Sequence, residues 1–278
     1  MLKFKKAFNF KIVSLGIALI FLSTNILYAY PNSNSELLRV PLQYSTSEDK
    51  RSSRFIKTIS GVAGDTVLDI NDPKSSEINL VGGKAASLKE LASIAGIKVP
   101  KGFNVTTTLF NRYIEILNIR DQIDKLEVLS QDIKANEEEI RELCEEVRSA
   151  ILNGELDENL KKLIAEFYKN LSSDEEDILV AVRSSATAED MPNASFAGQY
   201  ISLLNQRGID QVIEAIKRVW ASTYNFNAVN YIKQNNMQLS KVNMGVLILE
   251  MVDAQSSGTA FSVDTETGFT FVSINYYY

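Results

Sequence analysis

The chain has 278 residues, 45% of them apolar and 23% charged, which suits one large globular domain or two small ones. A formal net charge of −6, from 29 basic and 35 acidic residues, argues against a nucleic-acid-binding face, which needs clustered positive charge. One cysteine, Cys144, excludes an intrachain disulfide, and the absence of histidine removes any Ser-His or Cys-His nucleophile pair and argues against zinc chemistry.

The N-terminal "MLKFKKAFNFK" carries Lys3, Lys5, Lys6 and Lys11 ahead of the apolar run 12–22 and a small-residue end at Ala29. Residues 1–29 read as an export signal or, uncleaved, as a membrane anchor. The apolar run is short for a span, which needs about 20 residues. Residues 30–77 are polar and read as a linker, with a short strand near 66–70. In "INLVGGKAASLKELASIAG" a short apolar run passes into a helix after Gly82 and Gly83, with Leu88, Leu91 and Ala92 inward and Gly96 as its stop. "VPKGFNVT" is a strand, and Thr108 is placed to cap a helix carrying Phe110, Tyr113, Ile114 and Leu117.

Residues 121–171 read as helical. Asn136 with Glu139 three positions on resembles a capping box; Ile140, Leu143, Cys144, Val147 and Ile151 then recur at helical spacing. Asn153-Gly154 ends that helix, and Asp157 starts another with Leu160, Leu163, Ile164 and Phe167 inward. The acid-rich runs are solvated faces, and Cys144, on the apolar stripe, is a core thiol. "ILVAV" at 178–182 is a buried strand, "YISLL" another, followed by helices around Ile213, Ile216 and Trp220 and over 224–233. "VNMGVLILEMV", "GTAFSV" and "FTFVSINY" are three strands, the last two joined through "DTETG" as a hairpin. The pattern is α+β, and the chain stops in "SINYYY" as a strand cut off rather than finished.

Three stretches carry chemistry. "VRSSATAED" leaves a buried strand on Arg183 and enters small residues, read as a loop whose Ser184, Ser185 and Thr187 hydroxyls and unhindered amides suit a phosphate; Gly198 is a second point of close approach. A structural Arg183 paired with Glu189 or Asp190 is equally open on these residues alone. "VGGKAASL" sets Lys84 at a helix start, an anion site without the Walker A spacing; a tight turn with a solvent lysine is its structural reading. In "SVDTETG", Asp264 and Glu266 lie on one face of an extended segment, as magnesium beside phosphates requires, or else in a polar hairpin turn.

Together "VRSSATAEDMPNASFAGQ", "GGKAASLKEL…VPKGFNVTT" and "SSGTAFSVDTETGF" resemble the N-terminal ATP-binding domain of phosphoenolpyruvate synthase (pyruvate, water dikinase) over about two-thirds of the chain. The resemblance implies an ATP-grasp-type nucleotide-binding domain over 78–278, with a helical insertion at about 108–172 and an incomplete C-terminus. It implies that Lys84 and Arg183 contact the ATP phosphates, that Ser184 and Ser185 cover them with Gly198 close by, and that Asp264 and Glu266 lie near the Mg²⁺ site. The family splits ATP to AMP and phosphate and passes a phosphoryl group through a histidine on a mobile domain to pyruvate. That domain and the pyruvate-binding domain are missing here, so a separate phosphohistidine- and pyruvate-binding chain is the implied partner. The family's Gly-Leu-Gly-Glu segment is also missing, and Leu249 stands where members often have glutamine, which puts the adenine contacts in doubt. A catalytically inactive nucleotide-binding or interaction module, favoured by the export-like start, and a rifamycin-phosphotransferase-like domain are the alternatives. The family chemistry implies a cytoplasmic location; the start of the chain implies export or anchoring.

Overall fold

Runs in which every position is apolar become strands covered on both faces. The computed structural model describes residues 17–18, 27–29, 65–132, 135–172, 177–188, 190–191, 194–195, 200–235, 237–261 and 273–277. Strands β1 (Ile17–Ala18) and β2 (Leu27–Ala29) are followed by β3 (Val67–Asp69), the short helix α1 (Ile78–Val81), α2 (Gly83–Ala92) and β4 (Gly102–Val105). Four helices come next: α3 (Thr107–Ile116), α4 (Arg120–Gln131), α5 (Glu137–Asn153) and α6 (Glu158–Lys169). Then come β5 (Leu179–Ala186), the two-residue strands β6 (Asp190–Met191) and β7 (Ala194–Ser195), β8 (Ser202–Arg207), α7 (Ile209–Ser222) and α8 (Phe226–Gln234). The described chain ends with β9 (Met244–Glu250), β10 (Ser256–Phe261) and β11 (Ser273–Tyr277).

The central sheet has the order β3-β4-β9-β5-β8, each neighbour antiparallel. β5 and β9 pair without a break from Val180↔Glu250 to Ala186↔Met244. A second sheet runs β1-β2-β10-β11, with β10 and β11 paired from Ser257↔Tyr277 to Phe261↔Ser273. The expected strand near 66–70 is β3, which pairs with β4.

Alternation along β9 explains the layering. Val246 and Ile248 join the larger apolar core with residues of all six helices α3 to α8, while Leu247 and Leu249 join a smaller one with Val81, Ala85, Ala86 and Leu88. The helices therefore cover one face of the sheet and the α1–α2 pair the other. Trp220 anchors the larger core, its ring 5.0 Å from Tyr113 and 6.0 Å from Phe110; each such fully buried aromatic contributes about 1.5–3 kcal/mol.

The helix starts follow their capping chemistry, with one correction. Asn136 accepts from the Glu138 amide at 3.0 Å and Asp157 from the Asn159 amide at 2.9 Å, each a side-chain cap. Thr108 does not cap α3. β4 ends at Val105 and the helix begins at Thr107, so Thr106 is the N-cap, and its hydroxyl donates back to the Thr66 carbonyl at 3.1 Å. Cys144 is fully buried and burial pushes its thiol up to about 11, as befits a core group.

Candidate functional site

β5 presents two chemistries. By alternation Val180, Val182, Ser184 and Ala186 fall on the helix side of β5 and Arg183 and Ser185 on the α1–α2 side, although the Lys84 ammonium still reaches Ser184 near the end of the strand. Arg183, Ser184 and Ser185 are 6%, 1% and 0% exposed. The expected loop after Arg183 is not there: β5 continues through Ala186, with Ser184 opposite Val246 and Ser185 opposite Gly245. The Ser184 amide donates to the Ile201 carbonyl at 3.3 Å and the Thr187 amide to the Asn243 carbonyl at 3.0 Å. The Thr187 hydroxyl accepts from the Asn243 amide at 3.2 Å. These backbone groups and that hydroxyl are committed to the sheet rather than offered to a ligand. Small hydroxylic residues carry no strand signal of their own; β9 supplies the ladder that extends them.

The Gly-Gly-Lys turn sits directly on this ladder. Gly82 closes α1 and opens α2 with φ +81°, a conformation that glycine alone adopts freely. A Cβ at Gly82 would lie 1.8 Å from the Ser185 carbonyl oxygen, and one at Gly245 would lie 2.5 Å from the Val81 carbonyl oxygen. Both glycines are needed for the turn to approach the strands. Gly245 was missed from the sequence, although a glycine inside a strand marks just such a close approach. The turn is held again at α3, where the Thr107 hydroxyl donates to the Asn79 carbonyl at 2.7 Å.

Lys84 is consequently no solvent lysine. It is 4% exposed, and its ammonium donates to the Ser184 hydroxyl at 3.4 Å. One residue further, the Ala85 amide donates to the Ser185 hydroxyl at 3.0 Å. The fold thus brings Lys84 and the Arg183–Ser185 triplet together from positions about a hundred residues apart.

The remaining predicted residues are not brought into view. Gly198, Asp264 and Glu266 lie outside the described residues, as do Glu189 and the side chain of Asp190. β10 and β11 flank "DTETG" in hairpin register, but the turn itself is likewise outside them. Among the described residues no group of three or more His, Cys, Asp or Glu could hold a metal ion, and no helix is long and apolar enough to cross a membrane. Leu249, where family members often have glutamine, is buried in the smaller core with Leu68, Ile70 and Leu88. A cavity of about 550 Å³ opens at the other end of β5, lined by Ile178, Leu179, Arg207, Glu250, Met251 and Asp253. Five residues of strand separate Leu179 from Ser184, a distance of about 17 Å, so this cavity is distinct from the lysine–serine cluster.

Comparison with known proteins bears on the same elements. Residues 78–278 match the family model described as the pyruvate phosphate dikinase AMP/ATP-binding domain. The chain is 38% identical over 194 residues to a probable phosphoenolpyruvate synthase of Methanothermobacter thermautotrophicus, covering 69% of this chain and 28% of that protein. It is 38% identical over 208 residues to the phosphoenolpyruvate synthase of Escherichia coli, covering 73% and 26%. It is 37% identical over 205 residues to the rifampicin phosphotransferase of Bacillus subtilis, covering 72% and 23%. The matched part is about a quarter of the length of these relatives. With the family model matching well over half its length, the chain belongs to the pyruvate phosphate dikinase AMP/ATP-binding domain family.

Proposed function

We propose that this chain binds ATP through its phosphates at Lys84 and Arg183, as the nucleotide-binding part of a phosphoenolpyruvate-synthase-type dikinase. The observation that carries the reading is the burial of both cations, Arg183 within β5 and Lys84 in the first turn of α2, with Lys84 held against Ser184. Phosphoryl transfer relies on positioning and on neutralising charge, and two pre-set cations in a water-poor site do both. The ammonium neutralises a phosphate as a point charge; the guanidinium holds one by two parallel hydrogen bonds. The architecture we infer is ATP-grasp-type, with α3 to α6 as its helical insertion and Gly198 approaching the phosphates. Mg²⁺, held by Asp264 and Glu266, would supply further charge neutralisation.

This chain has no histidine, so a phosphohistidine relay to pyruvate has to be carried by another segment or chain. A rifampicin phosphotransferase is as similar as the synthases, so the acceptor is chosen outside this domain. An export signal or anchor at residues 1–29 would compete with the pairing of β2 on β10, and the linker after it ends before β3, which starts at Val67. The test is thermal unfolding with and without Mg-ATP. A ligand at a hundred times its Kd stabilises the folded state by about 2.7 kcal/mol. Arg183→Ala is expected to abolish that shift while the protein still unfolds cooperatively; an undiminished shift in Arg183→Ala makes Arg183 structural and overturns the reading.

A further inference from the structure

We propose that Ser185 is a positioning residue, which sets Lys84 for the nucleotide by capping α2 from the neighbouring strand, and does not itself touch the nucleotide. This rests on the ATP reading above and changes the part expected of Ser185 within it.

A helix exposes amides in its first turn that need acceptors, ordinarily supplied by the N-cap side chain. At α2 the N-cap is Gly82, which has no side chain to give. The acceptor comes instead from β5, where the Ser185 hydroxyl takes the Ala85 amide at 3.0 Å. Ser185 is fully buried beneath the turn, with its carbonyl and hydroxyl both against Gly82. An incoming phosphate would have to displace this hydroxyl to reach the Ala85 amide. The same contact fixes where α2 starts, and Lys84 is the residue immediately before the capped amide. Ser184, the next residue along the strand, receives the Lys84 ammonium. Two adjacent serines thus divide the work: Ser185 locks the backbone on which Lys84 stands, and Ser184 orients its head. The close packing of Gly82 and Gly245 leaves the turn little room to settle elsewhere, so the cap and the lysine are mechanically coupled.

The prediction is non-additivity. Residues that act as one unit show strong coupling in a double-mutant cycle, whereas independent contacts add. Mg-ATP and adenosine affinities are to be measured by calorimetry on the full chain, for the wild type, Lys84→Met, Ser185→Ala and the double variant. The weakening in ATP affinity is at most about fivefold, reached when binding has to re-form the whole of the lost cap. Ser185→Ala is expected to show that loss with adenosine affinity unchanged, and to add nothing further in the Lys84→Met background. Hydrogen exchange at the first turn of α2 is expected to rise in Ser185→Ala without a matching rise in the helices on the other face. Should Ser185→Ala not fold, Ser185→Cys, slightly larger and a weaker acceptor, takes its place. Multiplying losses in the double variant, or unchanged ATP affinity in Ser185→Ala, overturn the positioning role. If instead Lys84→Met binds ATP like the wild type, or the wild type binds none, the nucleotide reading has failed, a result distinguishable from failure of the cap.

Discussion

The two faces of the central sheet are built from the same strands and do different work. Toward the helices, β5 and β9 present Val180, Val182, Val246 and Ile248 to a continuous apolar core. Toward the α1–α2 pair, β9 presents Leu247 and Leu249 to a much smaller core, and β5 presents Arg183 and Ser185. The first face is where the fold gains its stability; the second holds buried charge at the expense of some of that gain. Separating them on opposite sides of one rigid sheet lets polar residues be buried without disturbing the helix packing.

The widest contrast between the faces comes from Trp220→Ala. The site is fully buried against Tyr113 and Phe110, and the cavity left behind costs about 3–5 kcal/mol. Urea unfolding is expected to show this loss, while the fraction still folded keeps its Mg-ATP affinity. If affinity falls as well, the faces are coupled and the separation is wrong.

Gly82→Ala addresses the other face. Its Cβ collides with the Ser185 carbonyl and its backbone is held at a positive φ. Strain of this kind costs about 1–3 kcal/mol, and the turn is expected to lift from the strand. Here the ordering reverses: a smaller loss of stability than Trp220→Ala, but a larger loss of ATP-induced stabilisation. The same two measurements, run in parallel, decide it.

The smallest effect sharpens how closed the helical face is. Burial raises Cys144 from its ordinary 9.0 to about 11 and Tyr113 from 10.0 to about 12. Both folded values lie above the unfolded ones, so the fold favours the protonated groups. Their contribution is complete below pH 9 and is lost as pH rises from about 9 through 12. Cys144 alone is expected to withdraw about 1 kcal/mol of stability by pH 10. Thermal unfolding between pH 8 and 10.5 checks this, with Cys144→Ala flattening the slope.

Legibility followed the same division. The helical face could be read in advance because its signal is periodic: Ile140, Leu143, Cys144, Val147 and Ile151 mark α5, and all five are buried. Asn136 and Asp157 announced their caps by residue type. The polar face was legible only as an ordered set of motifs. Ser184 and Ser185 looked like loop residues because neither periodicity nor β-branching marks them as strand. Thr106 took the cap expected of Thr108 because the end of β4, set by its pairing with β9, decides where α3 begins.

Local pattern alone thus determined the longer helices, the strands β3, β4, β5, β8, β9, β10 and β11 in their order, and most of the core residues, since these depend on residues near each other along the chain; it did not mark β1, β2, β6 or β7. Tertiary structure alone decided that Ser184 and Ser185 lie in a strand, that Gly245 admits the turn at Val81, and that Lys84 is buried against a serine a hundred positions away. Those facts follow from which strands pair and how closely a turn can approach them, and a hydroxyl or a glycine carries no record of its distant neighbour.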